Sequence, residues 1–96
     1  MKRASNPSMF ELSVTCRNDG TIGAAYIRLK HARAARTREI AADALLADYD
    51  SRGNLIGIEI LAPVRLSQLV ALVDEARRAP FRRFVRQAFP RHLLAA

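Results

Sequence analysis

The sequence predicts an α+β domain, in which an antiparallel sheet of about four strands, a meander, is followed by two short C-terminal helices. Three observations predict this class. Apolar and polar residues alternate in several short segments of residues 10–61, which is typical of half-buried strands. A turn-forming cluster interrupts the alternation at Asp50–Asn54. After Ala62 and Pro63 the apolar residues recur about every 3.6 positions, which indicates helices.

The first two strands are predicted at residues 10–16 and 25–29. In the first strand every second residue is apolar or a small thiol: Phe10, Leu12, Val14 and Cys16. The cluster Asn18-Asp19-Gly20 predicts a turn, because glycine readily takes a positive φ. The second strand alternates Ala25, Ile27 and Leu29 with polar residues. We expect these two strands to pair.

The third and fourth strands are predicted as a β-hairpin. The third resumes at Thr37, bends or bulges at residues 41–43 and ends at Tyr49. Asp50 can start the turn by accepting hydrogen bonds from the backbone that follows, and Gly53 supplies the positive φ of a bulge. A three-residue loop then places Tyr49 opposite Leu55.

The same register places Leu46 opposite Ile58 and predicts the two faces of the hairpin. One face carries the apolar row expected to form the core: Leu46, Ile56, Ile58 and Ile60. The other face is also partly apolar: Leu45, Ala47, Tyr49, Leu55 and Leu61. We expect a second subunit, a partner protein or the C-terminal helices to cover this second face.

A helix is predicted from about Leu66 to Arg78, and a second helix begins near Pro80, which suits a first helical turn, and ends before Pro90. The second helix carries an apolar stripe: Phe81, Phe84, Val85, Ala88 and Phe89. The stripe packs against the sheet or the first helix in one interpretation, and binds a partner or a membrane surface in the other.

Length and composition predict one domain with a modest core. The chain has 96 residues, of which 50% are hydrophobic and none is Trp. We expect a flexible N-terminus at 1–8, an antiparallel β domain at 9–62 and a basic helical extension at 63–96 that packs on the sheet or on a partner. Because the core is small, a homo-oligomer such as a dimer, or a small protein partner, is expected to bury further surface.

Four ordered blocks carry a family resemblance: Ala25-Tyr26-Ile27-Arg28-Leu29, Thr37-Arg38-Glu39-Ile40, Asp48-Tyr49-Asp50 with Gly53, and Ile56-Gly57-Ile58-Glu59-Ile60-Leu61. Together they resemble domain of unknown function family 2283, a set of small prokaryotic proteins. The resemblance implies a compact strand-rich unit without established catalytic residues, and an antitoxin-like role beside a small toxin. The chain departs from the family at residues 21–24, where an acidic, Ala-Asp-containing approach to the Tyr-Ile-Arg-Leu strand is usual.

Cysteine usage and hydropathy favour a reduced, soluble, cytoplasmic protein. Cys16 is the single cysteine, so an intramolecular disulfide is excluded, and the strand pattern predicts that its thiol is buried. The basic N-terminus precedes an alternating segment rather than the apolar run of an export signal. No apolar run approaches the roughly 20 residues that cross a bilayer.

The net charge of +7 lies mainly in the C-terminal third. Residues 1–64 contain nine Lys or Arg against seven Asp or Glu, and residues 65–96 contain seven Arg against two acids. The arginines that could neutralise phosphates are Arg77, Arg78, Arg82, Arg83 and Arg86. A nucleic-acid-binding accessory protein is therefore the alternative function, while an acidic protein partner or an ordinary solvated basic face would explain the same charges.

The sequence predicts no catalytic residue, no metal site and no cofactor. His31 and His92 lie far apart, and neither has a Cys or a carboxylate at metal-ligand spacing. Glu59 is expected to pair with Arg28 or Arg38 across the sheet, as a structural ion pair. The leading function is a noncatalytic protein-interaction domain. Its predicted partner-binding residues are Leu45, Tyr49, Leu55, Phe81, Phe84 and Phe89.

Overall fold

The computed structural model describes residues 3–5 and 10–95. Within these residues six strands form one antiparallel sheet, which is followed by two helices and a 3-10 turn at Arg91–Leu93. The strands are β1 (Arg3–Ser5), β2 (Glu11–Cys16), β3 (Ile22–Arg28), β4 (Arg36–Ala41), β5 (Leu45–Tyr49) and β6 (Leu55–Ile60). The helices are α1 (Leu66–Val70) and α2 (Glu75–Ala88). The predicted α+β class is confirmed.

The strand order is β1-β2-β3-β6-β5-β4, so two three-stranded meanders meet at β3 and β6. The predicted pairing of the first two strands is confirmed by the β2–β3 ladder. The strand β6 pairs with β3 through the buried pairs Ile27–Ile58 and Ala25–Ile60. These contacts join residues more than thirty positions apart in the chain, and no local pattern in the sequence specifies them.

The predicted bend at residues 41–43 is instead a hairpin turn between β4 and β5, which raises the number of strands above about four. Ala44 donates its backbone N–H to the Ala41 carbonyl at 3.1 Å, and Asp43 adopts a left-handed φ of 57°. Aspartate tolerates a left-handed φ better than most residues do. In a sequence, however, aspartate indicates such a turn less clearly than glycine does. The strand β1, which was not predicted, pairs with β2.

The β5–β6 hairpin has the predicted turn but a different register beyond it. The Asp50 carboxylate accepts the backbone N–H groups of Arg52 and Asn54, each at 2.9 Å, and Gly53 has a φ of 84°. Tyr49 pairs with Leu55 as predicted, but a bulge follows, so that Leu46 pairs with Glu59 rather than with Ile58. A one-residue shift exchanges the two faces of a strand.

The predicted core row is therefore corrected. Leu45 and Ala47 are fully buried together with Ile58 and Ile60, whereas Leu46 lies half-buried on the opposite face. Ile56 is also buried, but it lies at the bulge and does not join the core cluster that contains Ile58 and Ile60. The bulge at Asp48 and Tyr49, which turn chemistry alone does not predict, causes this change.

Helices and sheet share one core, because the C-terminal residues pack on the face of the sheet that carries Leu45 and Ala47. The ring of Phe10 lies 5.3 Å from that of Phe81 and 5.5 Å from that of Phe84, measured between centroids. The core cluster also includes residues of both helices and of the turn after them: Leu69, Val70, Val85 and Leu93. The C-terminal segment thus packs on the sheet and shares its core.

The break between the two helices lies at residues 71–74, not at residues 78–80 as predicted. Leu72 and Val73 donate their N–H groups to Leu69 and Val70, which tightens the end of α1 and buries Val73. Pro80 lies inside α2, at its sixth residue. Proline lacks an N–H group, so it leaves only one carbonyl of the helix without its usual partner, and packing of the Phe stripe retains the helix.

The predicted flexible segment 1–8 falls mostly outside the described residues, and within it residues 3–5 form β1. Across residues 10–95 no helix has the length and apolarity needed to cross a bilayer.

Candidate interaction surface

The face of the sheet opposite the helices, termed the outer face below, carries two neighbouring cross-strand rows of side chains. The first row runs from β4 to β2 through Glu39, Leu46, Glu59, Tyr26 and Ser13. The second row runs in the same order through Thr37, Asp48, Gly57, Arg28 and Glu11. The helices cover the other face, so these two rows form the broad surface that the fold leaves open.

A hydrogen-bonded group at the centre of the outer face links β3 to β4 across the two strands between them. The Tyr26 hydroxyl donates to Asp48 Oδ2 at 2.9 Å, and the Thr37 hydroxyl donates to Asp48 Oδ1 at 2.6 Å. One carboxylate thus holds two side chains that approach it from opposite sides, and the group fixes their orientation.

Gly57 provides the space that this group requires. The Tyr26 ring crosses β6 at Gly57, and a Cβ atom on Gly57 would lie 1.8 Å from the Tyr26 hydroxyl oxygen. Only glycine therefore fits beneath the ring. The sequence alone does not predict this requirement for glycine, because the close approach depends on a side chain from a distant strand.

The environment of Tyr26 keeps its hydroxyl protonated. Burial, the hydrogen bond to Asp48 and the negative charge of Asp48 raise the pKa of Tyr26 to about 12. The Arg28 guanidinium, 5.8 Å from the centre of the Tyr26 ring, acts in the opposite direction but more weakly. The hydroxyl is therefore a fixed hydrogen-bond donor at neutral pH.

The outer face is acidic although the protein is basic. Between β4 and β2 its two rows contain four carboxylates against one guanidinium, a balance of −3 in a chain of net charge +7, and the first row continues to the position of Arg3 on β1. Glu39 and Glu59 are exposed, and Glu11 lies half-buried in contact with the His31 imidazole. The predicted pairing of Glu59 with Arg28 or Arg38 does not form among the described residues, because the register sets Glu59 beside Tyr26 and Leu46.

The predicted partner-binding residues are corrected, because five of the six lie in the core. The buried five are Leu45, Leu55, Phe81, Phe84 and Phe89. A partner cannot reach them while the domain is folded. Tyr49 is half-buried at the edge of the core, with the Arg36 guanidinium carbon 5.7 Å from the centre of its ring.

The five arginines predicted for nucleic-acid binding all lie on α2, two of them in its first turn. Arg78, Arg82, Arg83 and Arg86 are exposed, and Arg77 is half-buried. The Arg77 side chain forms an ion pair with Asp74 at 2.5 Å, and Arg78 donates to the Val73 carbonyl at 2.9 Å. The fold thus places these residues on the side of the molecule opposite the outer face.

The remaining residues that could carry chemistry are dispersed. Cys16 is exposed at the end of β2 rather than buried, because the β2–β3 register shifts between Thr15 and Cys16. His92 contacts the Ile22 carbonyl at 3.3 Å, far from His31 in the sequence. Among residues 10–95 no three His, Cys, Asp or Glu side chains lie close enough together to hold a metal ion.

The central group of the outer face is not predictable from local sequence patterns. Tyr26 and Arg28 stood on the polar side of a predicted strand, and Thr37, Asp48 and Gly57 stood in separate segments. All five lie in the four blocks that carry the family resemblance, and this shared location is the feature of the sequence that points to them. Their meeting depends on the pairing of β3 with β6, which the local pattern does not predict.

One comparison with known proteins gives a match, and it covers part of the chain. Residues 19–62 match the model of a family described as Protein of unknown function (DUF2283). The match covers β3 to β6 and therefore eight of the ten positions in the two outer-face rows. Neither the curated proteins nor the solved structures contain a match to this chain.

Proposed function

We propose that this chain, whose residues 19–62 match the family described as Protein of unknown function (DUF2283), is a noncatalytic protein-interaction domain. Its binding site is the outer face of the sheet. Its partner is a small protein with a basic surface, and an antitoxin-like role towards a small toxin is one form of such a partnership.

The observation that carries the proposal is the fixed Tyr26–Asp48–Thr37 group on a sheet face that the helices leave open. Tyrosine is a frequent anchor of protein interfaces, because it offers a large apolar ring at a low entropic cost. Here the ring is already held against Gly57, so that binding orders little further. Leu46 on β5 adds apolar area in the same row, where Glu59 on β6 separates it from Tyr26.

The charges of the outer face support a basic partner. Carboxylates at Glu39 and Glu59 flank Leu46 in the first row. Charge complementarity at the rim of an interface raises the association rate and discriminates against the wrong partners. A basic protein surface would meet this arrangement, whereas nucleic acid would be repelled by it.

Self-association through the outer face is disfavoured by the same charges. A two-fold contact brings the same patch of both copies together, so that the acidic rows of one copy would face those of the other. The predicted homo-oligomer would therefore have to use another surface, and a different protein suits the outer face better.

A noncatalytic role agrees with the chemistry of the central group. General acids and bases work best when their pKa lies near the operating pH. The pKa of Tyr26 is raised to about 12, so its hydroxyl stays protonated near neutrality and cannot act as a general base. The Tyr26 and Thr37 hydroxyls are also both used as donors to Asp48.

Site-specific photocrosslinking in the native cells tests the proposal. The photoreactive residue p-benzoylphenylalanine replaces Leu46 on the outer face, or Gln87 on α2 as a matched control. We expect one protein adduct of constant mass from position 46 and no protein adduct from position 87. Mass spectrometry of the adduct should identify a basic protein.

A pair of charge reversals completes this test. In the Leu46 crosslinking background, Glu59→Lys should abolish the adduct, whereas Glu75→Lys on α2 makes the same change in net charge and should leave it. Absence of any adduct, or identical adducts from positions 46 and 87, would reject the outer face as the binding site. Equal loss with both reversals would do the same.

A further inference from the structure

A second charged surface lies on α2, on the side that faces away from the core. The helix buries Phe81, Phe84 and Val85, and at helical spacing the residues opposite them are Arg82, Arg83 and Arg86. All three arginines are exposed. Arg82 and Arg86 are one turn apart, with Arg83 beside them, so the three guanidinium groups can reach a common region.

These three arginines have no intramolecular partner among the described residues. Arg77 is paired with Asp74 and Arg78 with the Val73 carbonyl, whereas no carboxylate of residues 10–95 forms an ion pair with Arg82, Arg83 or Arg86. Together with Ala79 and Gln87, they line a shallow, open hollow on the surface of the helix. The three positive charges surround the hollow, and the small side chain of Ala79 leaves space in it. Such a site is suited to an anionic group.

From this arrangement we infer that the outward arginines of α2 form a contact site for the phosphate backbone of double-stranded nucleic acid. Arginine presents a planar fork of donors that matches two oxygens of a phosphate group. Contacts of this kind position a protein on a duplex without reading its sequence.

The composition of the hollow separates this partner from two others. An interface with an acidic protein normally needs an apolar or aromatic anchor at its centre, and the hollow offers only Ala79 and the stem of Gln87. Single-stranded nucleic acid is bound by stacking its bases on exposed aromatic rings, but Phe81 and Phe84 are buried beneath the helix. A duplex backbone needs neither feature.

The site on α2 and the outer face lie on opposite sides of the molecule, because the helices cover the other face of the sheet. Each can therefore be occupied or disabled without the other. Binding at α2 does not depend on the proposed protein partner, and a negative result at one surface says nothing about the other.

Binding to a duplex gives a quantitative test through its dependence on salt. Three neutralised phosphates predict a slope of about −2.7 for the logarithm of the association constant against the logarithm of the salt concentration. The association constant should thus fall about 40-fold between 50 and 200 mM salt. We propose to measure it by fluorescence anisotropy with labelled 20-base-pair duplexes of two unrelated sequences, in both DNA and RNA forms.

Two triple variants with the same change in net charge locate the site. The first carries Arg82→Gln, Arg83→Gln and Arg86→Gln. The second carries Arg33→Gln, Arg38→Gln and Arg52→Gln, which remove three exposed arginines outside α2. Glutamine is a good helix former, so circular dichroism and thermal unfolding should show that both variants remain folded.

We expect the first variant to lose at least tenfold in affinity at low salt, with a slope near zero, and the second to keep most of the wild-type slope. Equal losses in both variants would mean that only the net charge matters, and would overturn the site. So would the absence of duplex binding by the wild-type protein at 50 mM salt. Stronger binding to a single strand, or binding to polyglutamate but not to a duplex, would assign the arginines to another partner and reject the inference.

Discussion

The Tyr26 ring lies across Gly57 so closely that a Cβ atom at position 57 would meet the Tyr26 hydroxyl oxygen at 1.8 Å. These two residues come from neighbouring strands that are far apart in the chain, and their contact leaves room for the hydrogen bond from Tyr26 to Asp48. The hydrogen-bonded group at the centre of the outer face therefore requires glycine, which lacks a Cβ atom, at position 57.

Replacing Gly57 with alanine should destabilise the protein. Its backbone does not have a positive φ, so the cost is steric rather than conformational. We expect a loss of about 1–3 kcal/mol in the free energy of unfolding, measured by urea denaturation. At Gly23 a Cβ would meet only the flexible Arg17 side chain, at 3.2 Å, and Gly23→Ala should cost less.

A double-mutant cycle isolates the contact. In a Tyr26→Ala background the obstruction is absent, so Gly57→Ala should be nearly neutral or slightly stabilising. If Gly57→Ala costs the same in both backgrounds, the Tyr26 ring does not occupy this space in solution.

Removing the Tyr26 hydroxyl should weaken the link between β3 and β5. Tyr26→Phe leaves Asp48 with Thr37 as its remaining side-chain donor and should cost about 1 kcal/mol of stability. Tyr49→Phe is the matched control, because no side-chain hydrogen bond of the Tyr49 hydroxyl occurs among residues 10–95. Equal effects of the two changes would contradict the role of Asp48 as an acceptor for Tyr26.

The raised pKa of Tyr26 predicts a loss of stability in alkali. Its ordinary value is 10.0 and its value in the fold is about 12, so the folded state binds the phenolic proton more tightly than the unfolded state. The resulting stabilisation is complete below pH 10 and is lost as the pH rises towards 12. Urea midpoints measured through this range should fall more steeply for the wild type than for Tyr26→Phe, and parallel curves would refute the assignment.

Asp50 predicts the opposite dependence, in acid. Backbone hydrogen bonds from Asn54 and Arg52 favour its charged form and lower its pKa below the ordinary 3.8. Its contribution to stability is therefore present above pH 3.8 and is lost as the pH falls through the lowered pKa. Asp50→Asn should flatten the acid limb of stability against pH, and a variant whose acid limb has the slope of the wild type would contradict the assignment.

Asp43 tests the turn between β4 and β5. Its φ of 57° is left-handed, a conformation that glycine adopts without a steric cost. Asp43→Gly should therefore be neutral or stabilising, and Asp43→Val should cost about 1–2 kcal/mol because of its branched Cβ. Thermal unfolding checks the order of the three proteins, and a more stable valine variant would mean that the turn has another conformation.

Local chemistry explains which features of the fold were predictable. Asp50 and Gly53 act within one turn, and the alternation at residues 10–16 reports which side of a single strand is buried. The position predicted for the break between α1 and α2 was wrong, because Pro80 is the stronger local signal in the sequence. The break lies at residues 71–74, where Val73 is buried.

The sequence by itself determined the class of the domain, the Asp50–Gly53 turn and the concentration of arginine near the C-terminus, because these depend on residues close together in the chain. The tertiary structure alone decided that β3 pairs with β6, that a bulge turns Leu46 outwards, and that Tyr26, Asp48 and Gly57 meet. Each of these contacts joins distant segments, and a shift of one residue in register would send the same side chains to the other face.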